Sequence, residues 1–562
     1  MLKKILSGLN IALLLIILFS FIVRVVGIGK YPVGFTQDEA SFGYDAYSLL
    51  KTGKDQWGVS FPLVFRSFGD FKMPLYTYLT IPSVFIFGLN EFATRLPNAV
   101  FGVMAVLAVY LMVLEYSKDK KLALISSIFL ASSPWHISIS RGAFEANLTT
   151  FFIPFGIWCY LKGLRQSKWM IVAAISFGLN LFSYHSARIF TILIIPALIV
   201  STYKGVSLQG VKSNIERYLV SIIVFTVFVV LMFYSFYIGA GKRGADILIS
   251  NPTDNWAAVA DRRYEAVLIG MPDIISKAFS NKLTYVTKTF VNNYLSYLSP
   301  NFFFTQGAGE ATYGMISGRG VLYTFEIFFL LISLYSFIKG RHFKGIIFFL
   351  FWILVAPIPA ALTKSTGYAA NRVAIMMPSI QIVSAYGAII LVEYITKSIH
   401  NKSVKNISYI SILFVLVISV ITFFEDYIYH APIQSAGSMS YGTREVVKYI
   451  SSIEDKYEEI RVSRTLSVPQ IWFAFYKHWD PKDYQKYSKD WIVYEQKGYS
   501  YIDQYDGYRL GKYIFGHLDM NTLIRSENIL IVGKPSEFLP NISVQKSIYY
   551  PNGSPAYFIV AP

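Results

Sequence analysis

Two acids stand side by side at Asp38 and Glu39, inside the stretch GFTQDEASFGYDAYSLLKTGKDQWGVSFPLVFRSFGDFKMP that covers residues 34–74 and follows a long apolar segment. Ionisable side chains this close to a bilayer cost free energy unless they serve something, so the pair marks a functional site. A carboxylate within hydrogen-bond reach of a hydroxyl can take its proton, which makes Asp38 a candidate general base. The plainer reading of Asp38 is a solvated loop acid or the N-cap of a helix beginning at ASFGYDAYSLL. Glu39 either orients its neighbour or helps bind a cation. Glu145 lies on the same face as a further carboxylate, or as an ion-pair partner of Arg141. If a divalent cation is involved, Asp38 and Glu145 are its ligands, although two carboxylates make a thin oxygen set.

Cations accompany these acids. Lys72, Arg188 and Arg372 are candidates for gripping a phosphate at the membrane surface, Arg with a planar fork and Lys as a point charge. Each alone is equally a side chain snorkelling to headgroups. Arg95, in FATRLPNAV, either pairs with Asp38 or Glu39 or caps the membrane boundary. His185, in FSYHSARIF, either binds substrate or makes a structural hydrogen bond. There is no glycine-rich nucleotide loop, no histidine cluster with metal-ligand spacing and no GxSxG. A transferred group would therefore arrive on a lipid.

The elements that position these residues are membrane spans. The chain has 562 residues, 54% of them hydrophobic and only 15% charged, with mean hydropathy +0.45, far too apolar for a soluble protein of this length. Its net charge of +17 sits in short clusters between apolar runs, which is membrane topology rather than a nucleic-acid surface. Cys159, the only cysteine, excludes disulfides and cysteine metal sites.

The apolar part of residues 11–26 is long enough to span, and no small-residue cleavage site follows, so it reads as a retained helix with Lys3 and Lys4 inside. The run at 75–88 rises about 22 Å at ~1.5 Å per residue, short of the ~30 Å hydrocarbon core, and is read as interfacial or re-entrant. The next spans are then 98–116, 121–137, 147–162, 168–185, 188–203, 218–238, 320–338, 344–362, 373–396 and 408–424, which makes eleven in all. Lys118, Lys120 and Lys121, then Lys162, Arg165 and Lys168, then Lys204, Lys212 and Arg217, then Lys339, Arg341 and Lys344, and finally Lys397, Lys402 and Lys405 all fall inside. The short outer loops hold only Arg141, Arg188, Lys364 and Arg372. The amino terminus is then cytoplasmic and all the candidate residues lie outside.

The expected organisation is a membrane catalytic domain over 1–430, with outer loops at 28–97 and 239–318, and a small extracytoplasmic α/β domain over 431–562. The 239–318 loop reads as short amphipathic helices and turns. Within the tail, 443–457 reads as an amphipathic helix, and 460–463, 528–532 and 557–560 as strands.

The order TQDEASFGYDAYSLL, DFKMPLYTY, NEFATRLPNAVFG and SRGAFEAN resembles the amino-terminal half of the GT-C glycosyltransferases. It is similar above all to glycosyltransferase family 39, which includes the protein O-mannosyltransferases, and to the aminoarabinose transferases of lipid A. The resemblance covers residues 8–200, the later spans by architecture only. It implies an all-α polytopic membrane protein of GT-C type. It also implies an inverting transfer, on the outer face, from a polyprenyl-phosphate-linked sugar to an acceptor hydroxyl on protein, glycan or lipid. Asp38 matches the presumed base of the Asp-Glu motif, Lys72 a basic residue that contacts the lipid phosphate, Arg95 the arginine of Arg-Leu-Pro, and Glu145 the second acidic position. Met73 stands between Lys72 and Pro74 where relatives often have the two adjacent. The long outer loop lacks the sugar-binding insert of eukaryotic mannosyltransferases, so a protein acceptor does not carry over. The oligosaccharyltransferase branch uses a divalent ion, whereas the nearer relatives do not require one.

Three other classes compete. A flippase or transporter of lipid-linked sugars predicts mid-span charges and broken helices in paired halves. A glycan ligase or polymerase shares the fold class. A receptor with passive spans leaves the Asp-Glu loop unexplained.

Overall fold

The computed structural model describes residues 11–202, 208–241, 247–309, 313–341, 345–364, 368–523 and 528–562. Lys3, Lys4, Lys204 and Lys344 lie outside the described residues. The first helix, α1 (Ile11–Val25), is apolar throughout apart from Ser20 and Arg24, both on its buried side. Helix α2 (Gln37–Thr52) starts at Thr36, whose side chain accepts from the Glu39 amide while the Glu39 carboxylate accepts from the Thr36 amide. This capping box satisfies two backbone donors at once, and α2 stops at Gly53 in the left-handed conformation, φ +68°. A two-stranded ribbon follows, β1 (Phe65–Arg66) against β2 (Phe71–Lys72).

Helix α3 (Pro74–Phe87) opens on a proline and closes at Gly88 after 14 residues. Helix α4 (Glu91–Ser117), capped by Asn90, has 27 residues and reaches about 40 Å, more than the hydrocarbon thickness. At its far end Glu115 gathers Lys118, Lys162 at 3.2 Å and Arg165 at 3.0 Å. Two of the lysine-arginine clusters expected inside thus meet at one end of α4, and Arg95 stands at the other.

Among the described residues, five helices are long and apolar enough to cross a membrane: Glu91–Ser117, His185–Thr202, Glu216–Ala240, Ala374–Ser398 and Lys402–Ser435. A sixth is the pair Lys120–Ser132 and Pro134–Ser140, bent by 58°, where Ser133 leaves helical geometry and Pro134 restarts the helix. Five shorter apolar helices, α1 and α3 among them, accompany these. The chain is a multi-pass membrane protein. The expected span at 121–137 is the bent pair, and the one at 408–424 is part of a helix extending to Ser435. In the 239–318 loop the helices Pro252–Leu268, Asp273–Phe279 and Lys282–Tyr297 follow one another.

The carboxy-terminal residues carry a mixed six-stranded sheet. Its strands are β3 (Glu459–Ser463), β4 (Tyr508–Leu510), β5 (Tyr513–Gly516), β6 (Ile529–Gly533), β7 (Lys546–Tyr549) and β8 (Pro555–Val560), in the order β4-β5-β3-β6-β8-β7. Strand β3 runs parallel to β5 and β6, and the other pairs are antiparallel.

This sheet does not have its core to itself. One apolar cluster runs from Phe35, Ala40, Tyr44 and Ala93 to Trp472, Phe475 and β3. Gly43 packs so closely that a Cβ there would lie 2.5 Å from Thr94 Oγ1 and 2.6 Å from the Phe475 ring. The Phe35 and Phe475 rings stand 4.9 Å apart, and the Phe35 amide donates to the Met439 carbonyl at 2.8 Å. Helix α2 is thus clamped between the helical bundle and the carboxy-terminal residues.

Candidate active site

The first turn of α2 sends its two acids in opposite directions. Glu39 is fully buried. Its Oε1 accepts from Arg95 Nε at 2.7 Å and from the Ala143 amide at 2.9 Å, and its Oε2 accepts from Arg95 Nη2 at 3.1 Å and from the Thr36 amide at 2.9 Å. The remaining Arg95 donors go to the carbonyls of Ile28, Pro32 and Gly34. Arg95 therefore pairs with Glu39, and together they pin the loop after α1, the start of α2 and the turn at Ala143. Both oxygens of Glu39 are taken up this way.

Asp38 is the first-turn neighbour of the cap rather than the cap itself, because Thr36 holds that place. Its side chain is 46% exposed, and its Oδ1 meets Lys72 Nζ at 2.9 Å, while Lys72 is only 4% exposed. The ribbon delivers Lys72: its ammonium also reaches the Asp38 carbonyl at 3.3 Å and lies over the rings of Phe42 and Phe68, at 4.7 and 5.4 Å. Aromatic faces hold the cation in a site largely closed to water.

Glu145 comes from the turn after the bent helix pair, which Asn98 secures by donating to the carbonyls of Ile139, Gly142 and Phe144. Burial and the neighbouring Asp38 charge raise the Glu145 carboxyl to about 7, while Lys72 works against the rise. Asp38, Lys72 and Glu145 thus form one electrostatic unit, and the expected Glu145–Arg141 pairing does not form. Arg141 instead donates to the carbonyls of Val23, Val26 and Tyr31, capping the carboxy-terminal end of α1.

His185 Nε2 donates to the Phe71 carbonyl, 3.0 Å away, next to Lys72. Arg188 is buried. It donates to the Leu181 carbonyl and to Ser235 Oγ, stacks at 4.7 Å over Phe236, and leaves Nη1 buried with no partner among the described residues. The chain after Phe236 returns to the ribbon at Gly239, where a Cβ would stand 2.5 Å from the Phe71 ring. Arg372 donates to Thr363 Oγ1 and the Lys364 carbonyl, both at 2.7 Å, and no contact among the described residues joins it to Lys72. Lys72 pairs with Asp38 at 2.9 Å, and Asp38 and Glu145 together make a thin oxygen set for a divalent cation. Among the described residues the group of three spaced for a metal is Glu425, Asp426 and His430, elsewhere in the fold.

Some polar residues here carry no motif that sequence reading would flag. Arg24 donates to the carbonyls of Leu130 and Ala131 and lies 2.7 Å from His136 Nδ1, and His136 Nε2 lies 3.0 Å from Thr150 Oγ1. The other side of Asp38 faces an open cavity of about 670 Å³ whose far wall includes Arg464, Ser467, Tyr501 and Asp503. Nothing local to those four residues connects them with position 38.

Comparison with known proteins adds the following. A family model described as dolichyl-phosphate-mannose-protein mannosyltransferase matches residues 72–234. Two Bacillus subtilis (strain 168) proteins, each named "Putative mannosyltransferase", are similar over part of their length. YkcB is 27% identical over 197 residues, 34% of this chain and 26% of the relative, and YycA is 24% identical over 157 residues, 28% and 22% respectively. The matched region thus spans about a quarter of these relatives. Crystal structures of ArnT from Cupriavidus metallidurans align over nearly the whole chain at 12% identity. The apo form gives a TM-score of 0.54 with 98% of each chain covered, and the form bound to undecaprenyl phosphate 0.52 with 98% and 99% covered. At that identity the likeness is one of fold.

Proposed function

We propose, from the premise that this chain is a membrane protein of the GT-C glycosyltransferase fold, that it is an inverting glycosyltransferase working on the outer face of the membrane. Its donor is a sugar carried on a polyprenyl phosphate, and its acceptor presents a hydroxyl. The observation that carries this reading is the contact of half-exposed Asp38 with buried Lys72 at 2.9 Å. A base open to an incoming hydroxyl thereby stands beside a cation shielded from water.

Asp38 takes the acceptor proton, the acceptor oxygen attacks the anomeric carbon from the face opposite the phosphate, and the bond from that carbon to the phosphate oxygen breaks. The departing polyprenyl phosphate carries new negative charge, which Lys72 meets as a preformed partner. The buried Nη1 of Arg188, without a hydrogen-bond partner among the described residues, supplies a further donor. As the phosphate draws the ammonium, Asp38 is released to act on the acceptor. Glu39 and Arg95 do not touch the reacting atoms; they fix the turn from which Asp38 projects. The ArnT neighbour with bound undecaprenyl phosphate supports a lipid-phosphate donor.

The test is Asp38→Asn, assayed as release of polyprenyl phosphate with formation of a new glycosidic bond. Transfer is expected to fall by about 10²- to 10⁴-fold, with donor binding retained. Unchanged turnover would remove Asp38 from the chemistry. Movement of the lipid-linked sugar across the membrane without any new bond would instead identify a transporter.

A further inference from the structure

The cavity beyond Asp38 is walled on one side by the start of α2 and Phe68, and on the other by the carboxy-terminal residues Arg464, Ser467, Tyr501 and Asp503. Its volume, about 670 Å³, is that of a small-molecule site. The lining mixes polar and apolar surface, both charges are represented, and the exposed Tyr501 offers a flat ring.

Its walls are fixed to each other. The Ile502 amide donates to the Phe68 carbonyl at 3.0 Å. Gly69, at φ +133°, brings the ribbon so near that a Cβ would stand 2.2 Å from the Ser500 carbonyl oxygen. On the far wall Ser467 and Val468 are both left-handed, at φ +48° and +49°, a conformation that is unfavourable for any side chain and most of all for a β-branched one. The turn packs Val468 against the shared apolar core, and both Ser467 and Val468 line the cavity. Backbone strain of this kind persists where the surroundings enforce it and collects at binding sites.

We propose that this cavity is the acceptor subsite, and that the acceptor is a hydroxyl-rich saccharide chain held against Tyr501 with its hydroxyls bonded to Arg464 and Asp503. This rests on the transferase reading above. One acceptor hydroxyl reaches Asp38, which takes its proton as the oxygen bonds to the anomeric carbon and the phosphate leaves. Pyranose rings present both the flat C–H faces and the hydroxyl edges that this wall can bind.

Because the sole native cysteine, Cys159, is buried, Ser467→Cys in the full-length protein offers a single handle for a bulky maleimide. Transfer to saccharide acceptors is expected to drop at least tenfold in the labelled protein relative to the same variant unlabelled, with binding of radiolabelled donor within twofold. Transfer that survives labelling, or donor binding lost in step with it, overturns the proposal. If the cysteine variant does not fold, Arg464→Gln replaces it, with an expected rise in acceptor KM at constant kcat. A change in kcat alone would count against the subsite. Independently, the unlabelled native protein is titrated by calorimetry with soluble gluco-, manno- and N-acetylglucosamine oligosaccharides, with the maleimide-labelled Ser467→Cys variant as the blocked control. Saturable binding is expected, and its absence overturns the subsite even in an active transferase. Binding in a protein that never cleaves donor would sink the transferase reading and leave a saccharide site.

Discussion

Adjacent acids in a sequence are indistinguishable by type, yet Asp38 and Glu39 end with opposite tasks, and the difference is set by what each one touches. Glu39 is buried under hydrogen bonds from Thr36, Arg95 and Ala143 while Asp38 keeps 46% of its side chain exposed. The signal was present in the sequence: Thr36 followed three residues later by Glu39 is the capping-box spacing, which assigns Glu39 to the backbone. Arg95 has no such signal, because its partners are carbonyls 61 to 67 residues away. Removing it would strand a buried carboxylate. Arg95→Ala is therefore expected to destabilise the protein by about 3–5 kcal/mol, read as a lowered unfolding temperature in detergent. Arg95→Lys should recover little, since one ammonium cannot replace a planar fork serving a carboxylate and three carbonyls. An unfolding temperature unchanged in Arg95→Ala would mean that Glu39 finds another partner.

At the scale of elements, hydropathy located the apolar segments well and their geometry less well. The bend at Ser133 and Pro134 and the extension of the last helix to Ser435 depend on packing that composition does not encode. The sheet shows the same divide: β3, β6 and β8 overlap the apolar runs read as strands, whereas the short β4, β5 and β7 were not legible. Helix α2 conceals a second acidic pair. Burial, reinforced by the charge of Asp55, raises Asp45 to about 8, and burial raises Asp55 to about 6 against the pull of the amides of Val59, Trp57 and Gly58. Asp45 is held by the Gln56 amide and side chain, both at 3.0 Å. A carboxyl raised on folding keeps a proton that the unfolded chain has already released, so the folded state binds more protons from about pH 4 to about pH 8 and loses stability as pH rises through that window. Asp45→Asn is expected to flatten this decline in unfolding temperature between about pH 5 and about pH 8. Parallel curves for variant and native protein would show that Asp45 does not hold the proton.

Across the whole molecule, the shared core puts α2 and the sheet on one common side of the membrane. Phe35, Tyr44 and Gly43 pack against Phe475 and Tyr484, so the carboxy-terminal residues must lie on the same side as Asp38. Helix α4 separates that side from the Glu115 cluster by about 40 Å, and the cations gathered there, Lys118, Lys162 and Arg165, are of the kind that stays in the cytoplasm. The sequence pattern allotted the ends of the spans, but the contact between residues some 430 positions apart that makes the sheet a wall of the site has no local trace. The arrangement makes a prediction for cysteine labelling, which the burial of Cys159 leaves free of background. In intact cells a membrane-impermeant maleimide is expected to label Ser451→Cys, exposed on the Thr443–Ile453 helix, and to leave Lys121→Cys, exposed beside the cation cluster, unlabelled until the membrane is opened. The reverse pattern would put Asp38 in the cytoplasm and end the case for an outer-face transferase. Labelling of both in intact cells would break the link between the sheet and α4, because a single α4 crossing cannot leave its two ends on one side.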